Sequence, residues 1–276
     1  MSTALSDIKR RIATTAQIKK VTGTLQKVAA AKLSQEQRRL ANADAFSAQL
    51  QDLLGIAADA LPRHPHPLLK PSCGDAIALF ILGSDRGLCG SFNALLIKAL
   101  PAFLAQHPDQ TVHLMFRGKV TYNRALRLQF PSIESIDAIE GQAPRLMDAF
   151  LNGQFRAVYV MYWDFINRAR QRIETRQLLP AVLKPADHST RRGDAYCIEP
   201  SPQALIDSLL PEFISRQVYN AVHKSAAAEH AQRQAAMSRA TENAGELLDT
   251  LRKQYSRLRQ DSITTEMLEI VAGMYR

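Results

Sequence analysis

The stretch SDIKRRIATTAQIKKVTGTLQKVAAAKL (6–33) opens a run that reaches Leu61 without a proline and with only Gly23 and Gly55 as weak points. A continuous helix over that span is about 80 Å long, well beyond an ordinary globular helix. Ile18, Val21, Leu25 and Val28 recur at alternating three- and four-residue steps, the spacing of a stripe that packs on another long helix. Farther on the stripe thins to Leu33, Leu40, Leu50, Leu53 and Leu54. Pro62, Pro65, Pro67 and Pro71 end the helix, because proline lacks an amide donor and its ring clashes with the preceding turn.

The opposite end of the chain mirrors this pattern. After Pro211 no proline follows, and a helix reaching Ala272 spans about 90 Å. Its first half is rich in alanine, which favours helix and lets another backbone come close. Its second half carries Met237, Thr241, Ala244, Leu248, Leu251, Tyr255 and Leu258 at heptad spacing. Antiparallel pairing of helices near 15–55 and 215–260 buries both stripes, and places Leu25 and Val28 against the far part of the second helix, nearer Leu258 than Val218. A domain needing only stability gains little from helices that outrun its core, so their surface is expected to serve other molecules.

Between the ends the period changes. AIALFIL (76–82), TVHLMF (111–116) and AVYVMYW (157–163) are short apolar runs typical of buried strands, and helix-like stretches lie near 93–105, 119–128 and 143–152. That alternation describes a largely parallel sheet of βαβ units. RQRIETRQLL (170–179) alternates polar and apolar residues and reads as an added edge strand with one wet face. The segment Pro180 to Pro202 closes the domain. The expected fold is therefore α/β: a long antiparallel coiled coil of N- and C-terminal helices with a central Rossmann-like α/β domain, divided at 1–61, 73–202 and 203–276.

Composition narrows the function. With 276 residues and 46% hydrophobic composition the chain can bury a sizeable core, yet its longest strictly apolar run, Ala76 to Leu82, is far short of the roughly 20 residues of a membrane span. No charged-then-apolar leader opens it, and Asp7 argues against an acid-poor transit peptide, so a bacterial cytoplasmic setting is expected. Cys73, Cys89 and Cys197 form neither a disulfide framework nor a zinc-ligand pattern. A net charge of +9 suits an anionic partner. The basic pairs along 9–39 are diluted by Asp7, Glu36, Asp44 and Asp52 and lack aromatic residues for base stacking, which favours a solvated face or an acidic protein over nucleic acid.

The loop GSDRGLCGSFN (83–93) joins a strand to a helix, where α/β folds hold phosphate, but it has neither a G-K-S/T element nor a G-x-G-x-x-G fingerprint. Cys89 has no readable His–acid partner set and reads as a buried structural thiol; the pairs His64/His66 and His223/His230 lack the further ligands of a metal site. No nucleophile–base–acid set is readable anywhere, so no enzyme activity and no cofactor are expected. A freestanding coiled-coil scaffold or nucleic-acid binder, and a small α/β enzyme with helical arms, stand as alternatives.

IKRRIATTAQIKKVTGTLQKVAAAKL (8–33), DRGLCGSFN (85–93) and the ending from EPSPQALIDSLLPEF through SRQVYNAV, AEHAQRQAAMSRATENAGELLDTL and YSRLRQDSITTEMLEIVAG resemble, in the same order, the gamma subunits of F-type ATP synthases. The resemblance covers essentially the whole chain. It implies a rotor shaft inside a ring of three alpha and three beta subunits, standing on the membrane-embedded c-ring beside the epsilon subunit, at the cytoplasmic face of the bacterial inner membrane. Ion flow turns such a shaft and drives ATP synthesis or hydrolysis in the ring, while the shaft itself is non-catalytic. The family's shaft contacts map onto Lys20, Leu25, Arg233, Arg259, Gln260, Thr264 and Glu266, and Glu229 resembles a position nearer the membrane ring. Gly23, Leu25 and Lys27 depart from the residues usual in the family, which implies a divergent or alternative F-type ATPase.

Overall fold

The computed structural model describes residues 2–59, 66–136, 141–183, 198–199 and 201–274. The helix-ending Pro62 and Pro65, His64, Cys197 and most of the 180–202 segment lie outside the described residues. Eleven-residue β4 (Phe155–Phe165) is the longest strand, and it is joined by β1 (Ala76–Leu82), β2 (Val112–Arg117), β3 (Ile133–Ile136) and β5 (Gln171–Leu179) in one sheet. The helices are α1 (Ser2–Asp59), α2 (Phe92–Ala105), α3 (Lys119–Arg127), α4 (Gln142–Leu151) and α5 (Pro202–Met274). By internal packing the chain forms two compact units: Ala31–Gln232, and Met1–Ala30 with Arg233–Arg276.

The larger unit is built on the sheet, ordered β3-β2-β1-β4-β5. The first four strands run parallel and β5 pairs antiparallel with β4 as the half-wet edge that its alternation describes. Because strand side chains alternate faces, β1 splits its apolar run between two cores. Ala78, Phe80 and Leu82 pack with α4 residues Leu146 and Phe150, with Leu50 and Leu54 of α1, and with Leu210, Phe213 and Ile214 of α5. Ile77, Leu79 and Ile81 join Phe92, Leu96 and Leu100 of α2, Leu33 and Leu40 of α1, and Ala227, Ala228 and Ala231 of α5. Each fully buried Leu, Ile or Phe contributes about 1.5–3 kcal/mol relative to exposure. Helix α5 is already formed at Pro202 and passes through Pro211, so the expected start after Pro211 is corrected. Ile206, Leu210, Phe213 and Ile214 are buried on both sides of the proline, and this burial offsets the roughly 3 kcal/mol that an interior proline costs.

In the smaller unit α1 and α5 run antiparallel. Thr241 Oγ1 donates to Thr22 Oγ1 at 2.8 Å, Gln26 Nε2 donates to Ser238 Oγ at 3.3 Å, and Lys19 Nζ would lie 3.0 Å from a Cβ at Gly245. The α5 seam follows the expected heptad: Met237, Ala244, Leu248 and Leu251 are buried and Thr241, Tyr255 and Leu258 half-buried. The α1 seam does not follow its expected stripe. Thr15 and Ala29 are buried and Leu5, Ile8, Ile12, Thr22 and Gln26 half-buried, at heptad spacing. Ile18, Val21 and Val28 are 50%, 51% and 48% exposed, and Leu25 is half-buried beside the seam. The reason is contact chemistry: paired hydroxyls and a lysine laid over Gly245 let the helices approach through small residues, leaving the branched side chains outside. The pairing also corrects the expected neighbour of Val28. It sits level with about residue 236, and Leu258 is about 33 Å farther along the axis.

Candidate partner-contact surface

Heptad winding of α1 and α5 decides which side chains face outward. On α1, Lys20 is exposed and its carbonyl accepts a hydrogen bond from Thr24 Oγ1 at 2.9 Å. Leu25 lies five residues on, about 140° around the helix, so the two do not share a face. On α5, Arg259, Gln260, Thr264 and Glu266 are all exposed. Arg259 follows the half-buried Leu258, as its place one step beyond the seam requires. Thr264 Oγ1 donates to the Gln260 carbonyl at 2.9 Å, and Glu266 Oε1 accepts from Ser262 Oγ at 3.2 Å. Among these polar groups Ile263, Met267, Leu268 and Ile270 are uncovered. The pairing of Thr22 with Thr241 puts Ser2 level with about residue 262, so α5 beyond that level has outrun the start of α1.

The site residues from the sequence therefore fall on separate levels and do not converge on one pocket. Lys20 sits level with about residue 244, roughly 22 Å from Arg259 along the axis. Arg233 is half-buried at the start of the smaller unit's α5 segment, and Glu229 is half-buried in the larger unit.

In the larger unit the loop 83–93 is occupied by its own side chains. Asn93 Oδ1 accepts from Thr121 Oγ1 at 2.7 Å, Ser84 Oγ at 3.0 Å and Ser84 N at 3.2 Å, while Asn93 Nδ2 donates to Ser84 Oγ at 2.7 Å and to Cys89 Sγ at 3.4 Å. A Cβ on Gly83 would stand 1.9 Å from Thr121 Oγ1, and one on Gly118, whose φ is 109°, would stand 2.6 Å from the Gly83 carbonyl carbon. The crevice where a doubly wound sheet holds phosphate is here a packed polar knot. Cys89 is buried in it, as expected of a structural thiol. Asp85 Oδ1 caps the start of α3 by accepting from Lys119 N at 3.2 Å.

Two buried carboxylates were not legible as partners in the sequence. Asp164 accepts from Lys224 Nζ at 2.8 Å and pairs with Arg172 Nε at 3.4 Å. Burial alone would raise its pKa, but Lys224 and then Arg172 outweigh burial and hold it below the ordinary carboxylate value. Glu36 bonds to His223 Nδ1 and to Arg39 Nη1 at 3.1 Å. Burial again pushes it up, and His223, Arg39 and His230 together bring it below the ordinary value. Among the described residues no cluster of three His, Cys, Asp or Glu could hold a metal ion, and no helix is long and apolar enough to cross a membrane.

Comparison with known proteins agrees over the full length. The family model described as ATP synthase matches residues 4–275. ATP synthase gamma chains of Haemophilus influenzae, from strains PittGG and PittEE, are each 32% identical over 280 residues, covering 97% of this chain and 97% of their own. Among solved structures, a chain in the Euglena gracilis mitochondrial ATP synthase OSCP/F1/c-ring structure superposes with a TM-score of 0.67 at 15% identity, over 99% of this chain and 94% of its own. A chain in the Tetrahymena thermophila mitochondrial ATP synthase central stalk and c-ring structure gives a TM-score of 0.58 at 22% identity, over 80% of this chain and 99% of its own, and these likenesses establish the shared fold. The heptad-wound ends, the sheet between them and the matched length agree: the chain belongs to the ATP synthase gamma-chain family.

Proposed function

We propose that this chain is the central rotor shaft of an F-type ATP synthase, a non-catalytic subunit that couples transmembrane ion flow to ATP synthesis or hydrolysis. Its partners are three alpha and three beta subunits around the helical pair, with the epsilon subunit and the membrane c-ring at the base. It works as a peripheral protein at the cytoplasmic face of the bacterial inner membrane. The observation that carries this reading is the antiparallel pair of α1 and α5, which buries Thr15 and Ala29 of α1 with Met237, Ala244, Leu248 and Leu251 of α5 and leaves Ile18, Val21 and Val28 uncovered among exposed lysines. An outer surface of that kind favours a partner that supplies both apolar contact and acidic groups. Lys20, Leu25, Arg233, Arg259, Gln260, Thr264 and Glu266 are the proposed ring contacts, and Glu229 is the proposed contact toward the base. Arginine suits carboxylate partners because its fork of donors matches their two oxygens.

The test is reconstitution. Alpha and beta subunits mixed with this chain should yield a complex of one copy per three alpha–beta pairs that hydrolyses ATP, while the chain alone should not. Failure to join that complex, or robust hydrolysis by the pure chain, overturns the reading.

A further inference from the structure

In the larger unit α1 faces a smooth stretch of α5. Ala221, Ala227, Ala228 and Ala231 are buried there, and Leu33 and Leu40 of α1 belong to the same core as the last three. A one-turn slide brings Ala231 to the place of Ala227 and Ala235 to that of Ala231, so on the α5 side this surface resists displacement weakly, and Leu33 and Leu40 of α1 supply most of the packing that opposes it. Neighbouring bonds fix α5 to the sheet: Lys224 Nζ to Asp164 at 2.8 Å and Ser225 Oγ to the Leu82 carbonyl at 2.9 Å. The link from α5 to α1 is different. Glu36 occupies a seam position of α1, buried, and bonds the half-buried His223, whose ring is 4.2 Å from the Tyr219 ring. Arg39 bonds Glu36 from α1, and His230 approaches from α5. Eleven residues along α1 and three along α5, Asn220 Nδ2 donates to Ser47 Oγ at 2.8 Å, a neutral contact with much less at stake.

We propose that the Glu36–His223 pair is the alignment key between α1 and α5 in the larger unit, one charged layer that opposes a slip the alanine-rich surface of α5 resists only weakly. After a one-turn slip Glu36 would face alanine or the Tyr219–Asn220 turn, and a buried carboxylate would lose its cross-helix partner. Buried ionic groups of this sort secure alignment more than stability, since apolar replacements of similar volume are commonly neutral or stabilising. The pair is thus a positioning device.

The experiment uses the full chain with Cys73→Ser and Cys197→Ser. The pair Ser47→Cys with Asn220→Cys reports native alignment by disulfide trapping, and Gln51→Cys with Asn220→Cys reports a one-turn slip. With Glu36 and His223 intact, native trapping should exceed slipped trapping by about tenfold or more. Glu36→Leu with His223→Leu should fold and melt at least as high as the parent, yet bring the two trapping rates together. The exchange Glu36→His with His223→Glu should restore the preference. An unchanged preference in the folded leucine variant overturns the proposal. So does its failure to fold, which would make the pair an ordinary stability contact, and so does a folded exchange variant that shows no preference.

Discussion

Asp164 is ionised at neutral pH although it is buried, because Lys224 and Arg172 outweigh the cost of desolvation. Its folded pKa lies below the ordinary carboxylate value of about 3.9, so its contribution is complete above that value and is lost as the pH falls through the folded pKa. Glu36 has the same sign. Urea unfolding of Asp164→Asn should show a loss of about 2 kcal/mol at pH 7, from a charge-assisted bond removed. Between pH 5 and pH 3 the variant should lose less further stability than the parent; an equal loss would mean that Asp164 does not titrate as described. Arg259 is charged and exposed, with opposite consequences. Arg259→Glu should move stability by no more than about 0.5 kcal/mol, while at the proposed ring contact it would replace attraction to a carboxylate partner by repulsion. Normal melting and assembly with reduced ATP-driven ion pumping is the expected outcome. A chain that unfolds, or pumping that is unaffected, refutes it.

Helix α1 shows what can be misjudged when an element is read alone. Its buried line holds Thr15, Thr22, Gln26 and Glu36, residues that count as polar in any periodicity, while Ile18, Val21 and Val28 form a cleaner apolar stripe on the outside. The α5 line from Met237 to Leu258 was legible because its seam residues are mainly large and apolar. The same logic covers the sheet. AIALFIL, TVHLMF and AVYVMYW mark β1, β2 and β4 because buried strands need apolar side chains on both faces. IESI at β3 is too short and too polar to announce itself, and its two central residues are exposed. Of the candidate contacts, exposure at Arg259 followed from its place beside Leu258, but the bonds of Glu36 and Asp164 depend on residues far along the chain that no local pattern connects. The helix pairing makes a direct prediction. Thr22→Cys with Thr241→Cys should form a disulfide readily in the folded chain, and Val28→Cys with Leu258→Cys should not, as judged on non-reducing gels. Val28→Ser should shift the melting of the isolated chain only slightly, whereas Leu33→Ala, which empties a fully buried position, should cost about 2–5 kcal/mol.

At the scale of the whole molecule the two units differ in what holds them. The larger has a core on each face of the sheet, with Phe80, Phe92, Phe116 and Phe150 fully buried. The smaller has one line of contact between two helices, in which Thr15, Thr22, Gln26 and Ala29 of α1 meet a mainly apolar line on α5. Local opening scales with the apolar surface that must be exposed, so hydrogen exchange in the isolated chain should be orders of magnitude faster at residues 5–29 than in β1. Assembly with alpha and beta subunits should slow exchange at 5–29 selectively. Equal protection of both units in the free chain would contradict this account of their cores.

The pairing of the first thirty residues with the last forty-odd has a consequence for synthesis. At a translation rate of about 5–20 residues per second, the amino-terminal helix emerges tens of seconds before its counterpart leaves the ribosome. Residues 31–232 carry their own cores and can collapse as they appear, but residues 1–30 await the stretch of α5 that begins at residue 233 in their unit. The hydroxyls and amides along that line, which made it hard to recognise, keep the waiting segment compatible with water. A more apolar seam would hold the finished pair more tightly and leave the nascent chain sticky throughout the delay.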